Sequence, residues 1–171
     1  MKIMDIAGIE ERKRADIPKA PGVYAFWWTG TRSKLMRGKR TIYLKGPGGS
    51  WGKVTWQDWW PQELEFPCLY VGKTTNLRKR YAQHLLLSKT ARLHAIKADH
   101  RKVKPATTSC QVRYGIEHVF RNEPPVDMIL ANMSFSFIDW FGKDNAIAER
   151  FYLEDRLIGS WRPWFNVDSE R

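Results

Sequence analysis

The stretch that most restricts how this chain folds runs from Cys68 to Leu87, CLYVGKTTNLRKRYAQHLLL. Leu69-Tyr70-Val71 is a short apolar run that halts at Gly72-Lys73, and Asn76 then offers a helix N-cap. Leu77, Tyr81 and Leu85 follow at helical spacing on one face. Arg80 and His84 lie four apart, so they project from one side of that helix, at the flank of its apolar stripe. The pattern predicts a strand–turn–helix unit on which a Tyr, a Lys, an Arg and a His converge. Those residue types suit contact with a phosphate diester.

Charge agrees with that chemistry. Twenty-nine Lys and Arg stand against 18 Asp and Glu, a net charge of +11, which points to a polyanionic partner. Only two cysteines occur, Cys68 and Cys110, neither in a metal or redox spacing, so a reducing, cytoplasmic setting is expected. No window has the length of a membrane-spanning helix, and the opening MKIMDIAGIEERKR reads without a signal peptide.

Residues 1–20 predict a short leading helix or packed arm, ended by Pro18 and Pro21. Gly22–Trp28 (GVYAFWW) reads as a strand carrying Tyr24. Thr41–Lys45 is a second candidate strand. The GPGGSWGK loop is not a phosphate loop, because Pro47 and Val54 stand where that pattern requires Gly and Ser or Thr. Trp51, Trp56, Trp59 and Trp60 are expected to pack their segment onto the sheet. Residues 88–104 read as helical and basic, with His94 and His100 at the surface. Residues 109–120 fit strand or helix, with a lean to helix in the latter half. A helical turn around 126–131 and a strand over 133–140 follow. A turn over 142–145 then leads to a helix from Ala146 to about Ile158. Its expected inward stripe is Ile147, Phe151 and Ile158, and Glu154 lies on it. A carboxylate there costs several kcal/mol unless it is paired. An ion pair to Arg80 or Lys73 is one reading.

Pro21-Gly22-Val23-Tyr24, then Tyr70-Val71-Gly72-Lys73, then Arg80-x-x-x-His84, resemble in order the motifs of the GIY-YIG nuclease superfamily. Leu153-Glu154-Asp155-Arg156-Leu157-Ile158 and Pro163-Trp164-Phe165-Asn166 resemble its catalytic Glu helix and closing Asn. The resemblance implies a single mixed α/β domain over 1–171, with a small, mainly antiparallel three-stranded sheet flanked by helices. It implies a divalent-metal-dependent endonuclease on DNA, with double-stranded DNA favoured. Tyr24 would take a proton from water, directly or through a relay, its pKa lowered by a cation such as Lys73. Tyr70 would orient water or phosphate, Arg80 would grip non-bridging oxygens, and His84 would position or transfer a proton. Glu154 would hold one Mg²⁺ or Mn²⁺, and Asn166 would orient the backbone of the site.

The departure from that family is residues 29–67, a basic, Trp-rich insertion between the first two core strands. Arg32, Lys34, Arg37, Lys39, Arg40, Lys45 and Lys53, with Arg78 and Lys79 of the helix, are the expected DNA contacts. A restriction-type enzyme is favoured over a repair, recombination or homing nuclease, and a homodimer would suit a symmetric site. A binding module without turnover and an RNA-directed nuclease are the alternatives.

Overall fold

The computed structural model describes residues 6–45, 51–93, 110–139 and 146–166. Strands β1 (Ala7–Gly8), β2 (Gly22–Trp28), β5 (Cys68–Thr74) and β6 (Met133–Asp139) form one antiparallel sheet in the order β1-β6-β2-β5. Strands β3 (Thr41–Lys45) and β4 (Trp51–Thr55) form a separate antiparallel hairpin. The helices are α1 (Arg32–Arg37), α2 (Leu77–Leu85), α3 (Gln111–Val119), α4 (Pro125–Asn132) and α5 (Ala146–Trp161).

β2 is central and buried on both faces, which is why GVYAFWW carries no charge. Tyr24, Phe26 and Trp28 enter one core with α2, α3 and α4, while Val23, Ala25 and Trp27 meet α5 through Leu153, Leu157 and Trp161. The sheet has four strands rather than three, because Ala7 and Gly8 pair with Phe135 and Ser134 at the β6 edge. Two residues give too short a period to be read as a strand; of the two expectations for this segment the packed arm is the one seen over residues 6–20, with Ile9 and Ile17 buried around this edge strand and a 3₁₀ turn at Arg14–Asp16.

Asn76 caps α2 as expected, accepting from the Lys79 N–H at 2.9 Å. The helix does not run on through the basic segment. Leu86 takes φ 48° and ends it. What holds residues 86–93 is buried charge rather than helix. The Arg113 guanidinium donates to the carbonyls of Leu85, Lys89 and Ala91, and its Nε reaches Glu117 Oε1 at 2.7 Å. Glu117 in turn accepts from the Leu93 N–H. The remainder of the expected helix, with His94 and His100, lies outside the described residues, as does the 142–145 turn.

The insertion is α1 and the β3–β4 hairpin, and its tryptophans do pack. Trp56 stacks on Trp164 at 5.5 Å between centroids, Trp60 on Trp164 at 4.6 Å, and Trp59 Nε1 donates to the Arg162 carbonyl. The side chain of Trp51 is not among those described.

The outer edge of β5 is closed without a further strand. Phe165 donates its N–H to Leu69 O at 2.8 Å. Asn166 accepts from Val71 N at 2.7 Å and donates to Val71 O at 2.6 Å. Asn166→Ala would leave both polar groups of a fully buried Val71 unpaired, an expected loss of about 2–4 kcal/mol. A change of less than about 0.5 kcal/mol in the unfolding free energy from urea titration would show that solvent supplies those bonds.

Candidate functional site

The β2–β5 register sets the site. Tyr24 lies opposite Gly72, and a Cβ at Gly72 would meet Tyr24 Oη at 2.4 Å and Tyr70 Cε1 at 2.8 Å. Glycine is therefore what lets the Tyr24 ring cross β5 beside the ring of Tyr70 on the α2 side. Tyr24 Oη lies 2.8 Å from His84 Nε2 and accepts from Arg80 Nε at 3.2 Å. Tyr70 covers the imidazole, with ring centroids 4.7 Å apart. Tyr24, Tyr70, Arg80 and His84 thus form one cluster, tyrosines from two paired strands and cation and imidazole from α2.

His84 was expected at the flank of α2 and is instead fully buried, whereas Arg80 is half exposed. Burial first, and the Arg80 charge second, hold the His84 imidazole well below its ordinary pKa. It is neutral near pH 7. Burial also pushes the Tyr24 phenol well above its ordinary value, and the Tyr70 charge adds to this; Arg80 opposes both without overcoming them. The expectation that a cation depresses Tyr24 through Lys73 fails for a geometric reason. Side chains alternate across β5, so Lys73 leaves the face on which Tyr24 and Gly72 meet.

Lys73 goes to Glu154. The carboxylate accepts the Lys73 backbone N–H at 3.0 Å through Oε1 and forms an ion pair with the ammonium through Oε2. Of the two partners offered by the sequence, Lys73 is the one used. Glu154 is buried on α5, and its charge acts on Tyr70, so it borders the tyrosine cluster from the edge of β5. Asn166 closes that same edge at Val71. The inward face of α5 differs from the expected stripe. Arg150, Leu153, Glu154, Leu157 and Trp161 are buried, Ile158 is half-buried, and Ile147 and Phe151 are exposed. Arg150, one turn before Glu154 on that face, is a buried charge that sequence reasoning missed. Its spacing of four from Glu154 was the available signal.

Among the described residues no three His, Cys, Asp or Glu side chains come together to hold a metal. One carboxylate at a rim is a donor set that suits Mg²⁺, which keeps several waters and takes one or two carboxylates with substrate phosphate oxygens. Glu154 fits that mode if Lys73 shares or yields Oε2.

The expected DNA-contacting cations divide. Arg32 is bound to Asp58 and lies over the Trp60 ring. Arg40 donates to Trp56 O at 2.8 Å, and Arg78 to the carbonyls of Ile17 and Ala15. These three hold the chain to itself, because a planar fork matches carboxylates and backbone carbonyls as well as phosphates. Arg37, Lys39, Lys53 and Lys79 are exposed and Lys34 is half exposed. Lys45 is described only as backbone. No helix among the described residues is long and apolar enough to cross a membrane.

The buried pair sets a pH response. A His whose folded pKa is depressed binds fewer protons folded than unfolded, so its stability contribution is full above about pH 6.5 and is lost as pH falls below it. Tyr24 and Tyr70, with raised folded values, lose their contribution as pH rises above about 10. Denaturant titrations should therefore show stability declining from pH 6.5 to 5, with a shallower decline in His84→Gln. Equal slopes in the two proteins would mean that His84 is already charged in the fold.

No protein-family model, curated protein or solved structure matches this chain.

Proposed function

We propose that this chain is a divalent-metal-dependent endonuclease that hydrolyses phosphodiester bonds in DNA on the GIY-YIG plan. The observation that carries the reading is the Tyr24 hydroxyl, held between Arg80 Nε and a neutral, buried His84 Nε2 over Gly72.

In this reading Arg80, half exposed beside both tyrosines, binds the non-bridging oxygens of the scissile phosphate. Tyr70, 7% exposed against 1% for Tyr24, is the tyrosine that meets the attacking water. A phenol with a raised pKa is a poor base alone. The relay form is therefore favoured over a standing phenolate. Tyr70 Oη accepts the water proton as its own proton passes to Tyr24 Oη and the Tyr24 proton passes to His84 Nε2, and the hydroxide so formed attacks phosphorus as the 3′ oxygen leaves. Glu154 would hold one Mg²⁺, which when bound neutralises charge on the phosphate and the departing oxygen. Lys73 keeps the carboxylate in place until then, and Asn166 fixes the β5 edge from which Lys73 projects. The exposed Arg37, Lys39, Lys53 and Lys79 supply duplex backbone contacts.

One observation favours the second reading, a nucleic-acid-binding module without turnover. Both oxygens of Glu154 are engaged by Lys73, as in a purely structural ion pair.

Supercoiled plasmid, genomic DNA and a matched RNA, each incubated with Mg²⁺ and with chelator, separate the two. The nuclease reading expects nicked or discretely cut DNA with Mg²⁺ and none with chelator. Intact substrates together with salt-sensitive retention of DNA would establish the binding module. Cleavage of the RNA alone would move the substrate class.

A further inference from the structure

Five large apolar side chains are well exposed among the described residues, and three of them crowd one stretch of α5: Ile147 at 66%, Phe151 at 52% and Tyr152 at 69%. Ile147 and Phe151, four apart, lie on one face, and Tyr152 lies about 100° further round the helix, so the three form an exposed patch rather than a single stripe. It is not the face that packs on the sheet, which is built from Leu153, Leu157 and Trp161. An exposed apolar strip of this kind marks a contact surface more often than an accident of composition.

The strip is continuous with the candidate site. Lys73 Nζ sits 3.8 Å from the centre of the Phe151 ring, and the same ammonium pairs with Glu154. Where Lys73 yields Glu154 to a metal, as the nuclease reading has it, its ammonium is open to an anion, and an occupant with flat apolar groups beside anionic ones fits here. The net charge of +11 favours an anionic occupant. Nucleic acid supplies both, phosphate for Lys73 and Arg80 and base faces for Phe151 and Tyr152. In an intact duplex those faces are hidden by stacking, so an aromatic strip at the cleavage site has nothing to lie on unless the bases there are unstacked.

We propose that the α5 strip of Phe151 and Tyr152, flanked by Ile147, receives unstacked bases next to the scissile phosphate, so that the preferred substrate is DNA with unpaired bases at the cut. This rests on the nuclease reading for the position of the phosphate, and it names the substrate class of that site. Stacking on an aromatic side chain is worth about 5–150-fold in affinity per base.

The test is binding in chelator, so that nothing is cut. Three labelled DNAs of one sequence are compared: a paired duplex, the same duplex with a two-base bulge, and a single strand. The proteins are the parent chain, Phe151→Ala/Tyr152→Ala, and Phe151→Tyr/Tyr152→Phe, which keeps both rings. The parent is expected to hold the bulged duplex at least about 10-fold more tightly than the paired one. The alanine pair should lose that preference while its affinity for the paired duplex changes less than about 3-fold, and the ring-keeping pair should retain it. Both pairs alter exposed positions, and circular dichroism verifies that they fold.

Equal affinity of the parent for paired and bulged DNA overturns the proposal, as does a preference that survives in the alanine pair. A dimeric parent that becomes monomeric in the alanine pair with its DNA preference unchanged would reassign the strip to a second copy of the chain, and equally overturns it. Metal-dependent cutting without a bulge preference sinks this inference alone. A bulge preference without cutting upholds the strip as a surface for unstacked bases but sinks the nuclease, and with it the claim about the cut.

Discussion

Glu154→Gln is expected to slow metal-dependent nicking of plasmid by about 10²–10³-fold, the loss typical of removing one preorganised electrostatic group from a charged transition state. The substitution is nearly isosteric. Its amide oxygen still accepts the Lys73 backbone N–H that Glu154 takes at 3.0 Å, so the β5 edge stays closed and the fold should be little affected. What disappears is the negative charge that pairs with the Lys73 ammonium and would hold the metal. A structural ion pair makes a different prediction. If charge balance with Lys73 were the whole role, the Lys73→Met/Glu154→Gln double variant would recover parent-like activity, because neither charge would be left alone. The nuclease reading expects the double variant to be no better than Glu154→Gln. Single-turnover rates at saturating Mg²⁺ decide between them. A Glu154→Gln rate within a few-fold of the parent would remove the carboxylate from the chemistry.

The elements that proved legible are those whose side chains leave one reading. GVYAFWW and CLYVGKT have no helical period, and both are strands buried along most of their length. Asn76 announced the start of α2 through its cap. The misreadings share a cause: local pattern was outvoted by tertiary contact. Residues 88–93 read as helix, yet Arg113 binds the carbonyls that helical bonds would have used. The apolar stripe of α5 was drawn through Ile147 and Phe151, when Leu153, Leu157 and Trp161 define a second stripe turned away from it. Glu154 was placed inward correctly despite this, because it belongs to the second stripe as well. The most informative failure concerns Lys73. Its neighbours in sequence suggested help for Tyr24. The strand pleat gives Gly72 to the tyrosine and Lys73 to Glu154, a consequence of two-residue alternation once β2 and β5 are known to pair. His84 was underrated for the opposite reason. Nothing in a helical wheel shows that a histidine will be sealed beneath two tyrosine rings.

Tyr24→Phe tests that sealed arrangement. Removing the hydroxyl leaves the rings and the Gly72 crossing in place but takes away the oxygen that joins Arg80 Nε at 3.2 Å to His84 Nε2 at 2.8 Å. The expected result is a fall in cleavage rate of about 10²–10⁴-fold, the range of a lost general acid–base group. DNA affinity measured in chelator should stay near that of the parent, because Tyr24 is 1% exposed and touches little that DNA can reach. His84 Nδ1 already lacks a hydrogen-bond partner among the described residues, so the variant leaves a buried imidazole with neither nitrogen bonded. A stability loss of about 1–3 kcal/mol should accompany the rate effect. Substituting His84→Gln in the same background separates the two consequences. In the relay, Tyr24→Phe and His84→Gln disable the same proton path, and the double variant should be about as slow as Tyr24→Phe alone. Multiplied losses would mean that the two groups act independently. A Tyr24→Phe variant that cuts as fast as the parent would leave Tyr70 and Arg80 to activate water without a buried relay, and the cluster beneath them would be a packing device.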